Sequence, residues 1–214
     1  MRLAIDTSGV GHALALLDGS HLVAAADWER ARDDPPVLTR LQALLRDAGA
    51  RPDDLEAIAA ARGPGSFTGL RVGLSLAAGL AYARHLPLYL LDSLPILARR
   101  SRPERAAVAI RDAGHGELYT WRDGEPVSRR PVAELSGWLP AIGRIVVEPA
   151  SKLALWSPVH AALEVPAEER ARTSRALADA AIEAFEMQKP VRYDEVQALY
   201  VQPAAAEERM RKAP

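Results

Sequence analysis

The chain has 214 residues, 49% of them hydrophobic and 26% charged, and a formal net charge of −1, the balance of an ordinary globular protein with ample core. A near-neutral charge supplies no global basic field for nucleic acid, and the absence of cysteine excludes disulfides, thiolate metal sites and a cysteine nucleophile. The N-terminus shows no signal-peptide pattern and no apolar run reaches the roughly 18 residues of a membrane span, so a cytoplasmic location away from membrane is expected.

Leu3-Ala4-Ile5 is a short apolar strand that ends in the polar turn Asp6-Thr7-Ser8-Gly9. Two strand-like runs, His12 to Leu17 and Leu22 to Ala26, flank Asp18-Gly19, a hairpin signal because glycine accepts the positive φ of a tight turn. Asp33-Asp34-Pro35-Pro36 opens a helix, with acids at its positive end and proline tolerated in the first turn. Val37, Leu38, Leu41, Leu44 and Leu45 recur at three and four as far as about Ala48, and Gly49 closes the helix. Leu55 to Ala61 is a buried strand, Leu86 to Leu91 another, and Ser93-Leu94-Pro95 begins a short helix that ends in Arg99 and Arg100. Arg102-Pro103-Glu104 is the expected boundary between a first lobe, residues 1–102, and a smaller second lobe, residues 103–214. In the second lobe Ala106 to Ile110 and Glu117 to Trp121 are strands, and Asp123-Gly124 is a second hairpin signal before a short edge near Val127. Arg144 to Val147 is a buried strand. Thr173 or Ser174 opens a helix through Met187 with Leu177, Ala180, Ala181, Ala184 and Phe185 on its apolar side, and Ala198 to Val201 is a last short strand. Strand, loop, strand, hairpin, strand, followed by alternating helices and strands, predicts an α/β lobe with a mixed sheet, and the weaker second run predicts a duplicated architecture.

The most informative stretch is Arg62 to Ala83, RGPGSFTGLRVGLSLAAGLAYA. Gly63-Pro64-Gly65 breaks the preceding strand, and Ser66 stands where an N-cap belongs. From Phe67 to Ala83 the only charge is Arg71, so the helix has no polar face and must be covered on more than one side. Gly69, Gly73, Ala77 and Ala81 form a stripe of small residues at four-residue spacing, with Leu70 and Leu74 on one side and Val72, Leu76 and Leu80 on the other. A glycine inside a helix costs about 1 kcal/mol relative to alanine, so this stripe calls for the close approach of another backbone. One reading packs one face on the chain's own sheet and the other on a partner helix. The alternative buries the helix wholly inside one large domain.

Other motifs weigh against familiar chemistry. Arg62 to Gly69 has no lysine followed by Ser or Thr, so it is no P-loop, and Gly63, Gly65 and Gly69 are spaced one residue too far apart for a dinucleotide fingerprint. Asp6, Thr7 and Ser8 are the better candidates for a phosphate loop, with Asp6 facing a metal-bound water; an ordinary polar turn is the alternative. His12, His21, His85, His115 and His160 include no pair at i,i+4, and no HExxH occurs, which argues against a helical zinc site. His115, in Asp112-Ala113-Gly114-His115-Gly116-Glu117, has the groups for acid–base work but also reads as a solvated hairpin. No GxSxG is present, and the tryptophans are not interleaved with basic residues.

Arg62-Gly63-Pro64-Gly65-Ser66-Phe67-Thr68-Gly69-Leu70-Arg71-Val72-Gly73 resembles the signature of the TsaB (YeaZ) family, bacterial subunits of the tRNA N6-threonylcarbamoyladenosine system. Ile5-Asp6-Thr7-Ser8, Leu86-Pro87, Asp92-Ser93-Leu94, Asp112-Ala113, Gly116-Glu117-Leu118-Tyr119 and Leu199-Tyr200-Val201 extend the likeness, which covers the first lobe well and the second in patches. The resemblance implies a two-lobed actin/Hsp70/sugar-kinase-like (ASKHA) α/β fold with mixed sheets flanked by helices and a reduced second lobe. It implies a non-catalytic scaffold with no catalytic or metal-binding residue of its own. In that system TsaC makes threonylcarbamoyl-adenylate, TsaD transfers the group to tRNA, TsaB pairs with TsaD through first-lobe helices, and the ATPase TsaE joins them.

On that basis Gly69, Leu70, Arg71, Gly73, Leu74, Ala77, Leu80 and Ala81 are the expected partner interface. Without a TsaD-type partner the same surface is expected to make a homodimer, and Gly73→Leu to block binding while leaving the fold intact. ATP or ADP is expected, if at all, at the partner interface, and tRNA only through the complex. The rival class is a small-molecule kinase or ATPase using Asp6, Thr7 and Ser8 on phosphate. Departures from the family pattern fall mostly on the cleft side: no histidine followed by serine near Asp33-Asp34-Pro35-Pro36, Gly114 in place of an arginine, Glu148-Pro149-Ala150 in place of a glycine-rich segment, and Gln202 in place of an arginine.

Overall fold

The computed structural model describes residues 1–29, 31, 33–101, 107–139, 144–148, 172–199 and 201. Five strands make the first sheet: β1 (Arg2–Asp6), β2 (Gly11–Asp18), β3 (His21–Glu29), β4 (Ala57–Gly63) and β5 (Leu88–Asp92), in the order β3-β2-β1-β4-β5. β1 to β3 form an antiparallel meander, with Gly19 at φ +57° in the hairpin turn, whereas β4 and β5 join β1 in parallel. Alternation along the strands feeds two cores. Leu3, Ile5, Leu14, Leu16, Ile58 and Ala60 point to one face, under helices α1 (Val37–Asp47) and α2 (Phe67–Arg84). Ala4, Ala13, Ala15, Leu17, Ala59 and Ala61 point to the other.

The second sheet repeats the order in reduced form, β8-β7-β6-β9, from β6 (Ala107–Gly114), β7 (Glu117–Arg122), β8 (Ser128–Pro131) and β9 (Arg144–Glu148). β6, β7 and β8 are antiparallel neighbours and β9 is parallel to β6, the relations that β1, β2, β3 and β4 have in the first sheet. Helix α3 (Ser93–Arg99) covers one face, packing Leu94 and Leu97 on Ala109 and Val146. The short helix α4 (Leu135–Trp138) covers the other with Leu135 beside Ile110 and Val147. Two lobes built on one strand order form the actin/Hsp70/sugar-kinase fold, with four strands in the second sheet against five in the first among the described residues.

The division between lobes differs from the one expected at residue 102. The last helix, α5 (Thr173–Met187), returns to the first sheet, where Leu177, Ala180, Ala181 and Ala184 pack on Ala13, Ala15, Ala59 and Leu91. Asp27 of β3 caps it by accepting from the Ser174 amide at 2.8 Å and from the Ser174 hydroxyl. After it, Val191 forms a bridge with Leu88 of β5, and the Leu199 amide donates to the Arg62 carbonyl at 2.6 Å. The amphipathic pattern of α5 was legible, but such a pattern does not specify which sheet it covers; the flat alanine face of the first sheet and the Asp27 carboxylate decide it. Residues 196–199 are irregular rather than a strand, and Tyr200 lies outside the described residues, as do Pro103-Glu104, Pro149-Ala150 and Gln202.

The small-residue stripe of α2 faces this same first sheet. A Cβ at Gly69 would sit 2.0 Å from the Thr7 carbonyl oxygen, and one at Gly73 2.3 Å from Thr7 Oγ1. Gly79 faces open space. Gly69→Ala should therefore destabilise the chain by about 1–3 kcal/mol through overpacking, whereas Gly79→Ala should stabilise it by about 0.4–1 kcal/mol. Urea unfolding of the two variants checks the contrast, and equal effects would contradict this packing.

Candidate functional site

The turn after β1 lies where the two lobes meet. Asp6, Thr7 and Ser8 are all buried there. The Ser8 amide donates to Asp6 Oδ1 at 2.8 Å, closing the turn on itself. Thr7 Oγ1 donates to the Gly69 carbonyl at 2.7 Å, and the Ser8 carbonyl accepts from the Ser66 amide at 2.7 Å. Ser66 in turn caps α2, its hydroxyl accepting from the Gly69 amide at 3.2 Å. Of the three residues expected to hold a phosphate, Thr7 and Ser8 are thus engaged in fastening α2 to the turn, and Asp6 in closing the turn. Burial raises the Asp6 carboxyl above its ordinary value, against the opposing pull of Arg111 and the Ser8 bonds.

Two charged residues of the second sheet complete the junction. Arg111, on β6, donates from Nη1 to Ser8 Oγ at 3.0 Å and to the Pro64 carbonyl at 2.8 Å, and from Nη2 to Glu148 Oε2 at 2.5 Å. Glu148, the last residue of β9, accepts through Oε1 from the amides of Val10 and Gly11 at 3.0 and 3.1 Å. Burial pushes the Glu148 carboxyl up, but Arg111 and the Gly11 amide outweigh it and hold the group below its ordinary value. A cleft of about 350 Å3 opens beside them, between Ser66 and Asp112. Arg111 was not singled out from the sequence, and Glu148 was noted only as a departure from the family pattern. The available signal was a charge that directly follows an apolar run on each strand, Arg111 after Ala107 to Ile110 and Glu148 after Ile145 to Val147. His115 is exposed at the tip of the β6–β7 hairpin at φ +54°, as a solvated turn would have it. Among the described residues, no group of three or more His, Asp or Glu side chains is placed to hold a metal ion.

The other candidate surface is α2. Gly69, Leu70, Gly73, Leu74, Ala77 and Ala81 are buried inside the chain, Leu80 is half-buried, and Arg71 is exposed with its guanidinium 4.0 Å from the Phe67 ring centre. The stripe is thus turned onto β1 and the turn after it and is not available to a partner, because Gly69 admits the Thr7 carbonyl and Gly73 the Thr7 side chain where a Cβ would collide. For the same reason Gly73→Leu would disrupt the first lobe rather than spare it. The opposite arc of the helix faces outward: Thr68, Arg71, Val72, Ser75, Gly79 and Tyr82 lie along it, with Phe67 at its edge. Phe67, Val72 and Tyr82 are 45%, 44% and 58% exposed. Open grooves of about 550 and 420 Å3 flank the arc, one against Trp28 and Val37, the other against Tyr193 and Val196. No helix among the described residues is long and apolar enough to cross a membrane.

The Glu148 carboxylate carries a stated pH dependence. Because its folded value is depressed, the stability it contributes is fully present above its ordinary value of about 4.5 and is lost as pH falls through the lower folded value. Asp6, raised by burial, acts with the opposite sign, so the comparison must be made between variants. The stability lost in Glu148→Gln should be about 1.5–3 kcal/mol near neutrality and should shrink below about pH 4.5. Urea unfolding over a pH series measures it, and a loss that persists unchanged in acid would show that the ionised carboxylate is not what matters.

The chain is similar to known proteins along most of its length. A family model described as tRNA N6-adenosine threonylcarbamoyltransferase, TsaD, matches residues 37–192. The tRNA threonylcarbamoyladenosine biosynthesis protein TsaB of Bacillus subtilis is 35% identical over 120 residues, 55% of this chain and 52% of the relative. TsaB of Escherichia coli is 35% identical over 121 residues, again 55% and 52%. The chain thus spans about half the length of these curated relatives. An uncharacterized protein of Mycobacterium tuberculosis is 32% identical over 185 residues, 81% of each chain. Among solved structures, YeaZ from Pseudomonas aeruginosa superposes with a TM-score of 0.71 at 24% identity, covering 93% of this chain and 98% of that one. A second, described as an uncharacterized protein with similarity to peptidase YEAZ from the same organism, has a TM-score of 0.76 at 22% identity over 94% and 99%. At those identities the superpositions speak to the fold alone, while the sequence matches speak to descent. With the signature of α2 in place and the fold shared, the chain belongs to the TsaB (YeaZ) family.

Proposed function

We propose that this chain is a non-catalytic subunit in tRNA threonylcarbamoyladenosine biosynthesis, binding a TsaD-type transferase through the outward arc of α2. The observation that carries this reading is the exposure of Phe67, Val72 and Tyr82 on one helix, an apolar band between two grooves. Singly exposed apolar residues need no explanation, but three large ones on one helix arc between two grooves, interspersed with Thr68, Arg71 and Ser75, make the mixed surface that an interface uses. Arg71, which stands over Phe67, and the partly covered Leu80 are the members of the sequence-derived interface that remain available to it. A second copy of the chain would occupy the same band in the absence of the transferase, since an isologous contact needs only that the patch complement itself. A TsaE-type ATPase would join the assembled pair, in the cytoplasm, with tRNA reached through the complex and any ATP or ADP held where the subunits meet.

The engagement of Asp6, Thr7 and Ser8 in internal bonds supports a subunit role over a kinase or ATPase role, because the Asp6 carboxylate and the Thr7 and Ser8 hydroxyls already have intramolecular partners. Sedimentation of the chain alone and mixed with a TsaD-type transferase from the same organism tests the proposal. A one-to-one complex is expected, and Val72→Asp, at an exposed position that leaves the core intact, should weaken it at least about tenfold. Undiminished binding by Val72→Asp would move the interface elsewhere, and no association with the transferase would overturn the assignment.

A further inference from the structure

We propose that Glu148 is a built-in anion: it fills the site that the β1–β2 turn and Arg111 form for a phosphoryl group, and thereby holds the two lobes closed without any ligand. The amides of Val10 and Gly11 are consecutive, and both point at one oxygen, Glu148 Oε1, at 3.0 and 3.1 Å. Two successive backbone N–H groups converging on an oxygen make an anion nest. The second oxygen, Oε2, takes the Arg111 guanidinium, whose other nitrogen reaches Ser8 Oγ and the Pro64 carbonyl. Two amides, a guanidinium and a hydroxyl are the donor set that a phosphate dianion would require. Here a carboxylate delivered from the end of β9 takes three of those bonds.

The fit is close enough to constrain the backbone. A Cβ at Gly9 would lie 2.3 Å from Glu148 Oε2 and 2.7 Å from Oε1, so a residue with any side chain at that position would expel the carboxylate. The bonds also run between lobes. Val10, Gly11, Ser8 and Pro64 belong to the first lobe and Arg111 and Glu148 to the second, so this pair ties the lobes across the cleft at four points, with the Arg111–Glu148 bond joining the two side chains themselves. In a ligand-operated two-lobed protein a phosphate supplies such a tie on arrival; here it is covalently part of the chain. An incoming phosphate must therefore displace a buried carboxylate and leave it without its partners, which is costly.

The test is hydrogen exchange of the Val10 and Gly11 amides in the full chain, with inorganic phosphate as the probe and chloride at matched ionic strength as the control. In the unmodified chain phosphate should leave both amides unchanged. In Glu148→Ala they should exchange roughly ten- to a hundredfold faster, and phosphate, unlike chloride, should restore protection in a saturable way. Unchanged exchange in Glu148→Ala, or acceleration that phosphate does not reverse, would overturn the proposal, as would protection of the unmodified chain by phosphate. Should Glu148→Ala fail to fold, the unmodified chain still decides the matter. On acidification both amide protons should shift together with the Glu148 carboxyl carbon in a single titration, and independent behaviour would overturn it.

Discussion

The first lobe depends on how closely α2 lies on the turn after β1. Gly69 and Gly73 bring the helix backbone against Thr7 at distances that leave no room for a Cβ, and Thr7 Oγ1 hydrogen-bonds to the Gly69 carbonyl at that contact. The bond takes up a carbonyl within the first turn of the helix, and the Ser66 cap takes up the Gly69 amide beside it. Glycine is unfavourable in a helix interior, by about 1 kcal/mol per residue, but the dispersion and hydrogen bonding gained by direct backbone approach offset that cost where the contact is this short. The stripe of small residues is therefore an internal packing device, and its four-residue spacing follows from the line of contact between a helix and the strand beneath it.

That contact determines what remains for recognition. With the stripe turned inward, α2 presents Phe67, Val72 and Tyr82 outward, together with the one charged side chain of its interior, Arg71. A helix with no polar face has been given two different covers: its own sheet on one side and, in the proposed assembly, a partner on the other. The low amphipathicity that first marked the helix is the residue of this double role. The two arcs differ in kind. The inner one is small and flat, suited to backbone approach, and the outer one carries large side chains between grooves, suited to association that can be reversed.

The turn after β1 is tied to the second sheet by charge, while α3 joins the lobes by apolar burial, with Ile96 in the core of the first sheet and Leu94 and Leu97 in that of the second. Arg111 and Glu148 are both nearly buried, and each meets its partner and the backbone of the opposite lobe. A buried ion pair gives little net stability unless its remaining donors and acceptors are satisfied; here both carboxylate oxygens are, while Arg111 Nε is buried without a hydrogen-bond partner. What such a pair does supply is geometric specificity, since two strands from one lobe must arrive in register on one turn of the other. In the proposed reading a scaffold benefits from this: its shape does not wait on a ligand.

Much of the fold was legible because it rests on local rules. Strand alternation, the Asp18-Gly19 turn, the Ser66 cap and the periodicities of α1 and α5 each follow from propensity and pattern within a few residues, and the signature around Gly69 carried the family. The tertiary structure alone decided where these elements face. Periodicity shows that a helix has a small side, but not whether that side meets its own sheet or another chain; the close approach of Thr7 settles it. It shows that α5 is amphipathic, but the alanine face of the first sheet and the capping Asp27, 147 residues away from Ser174, choose its lobe. The Arg111–Glu148 junction was hidden for the same reason. Its partners are separated by up to 138 residues, and a single charge at the end of an apolar strand says nothing about its environment until the chain has brought two amides and a guanidinium around it.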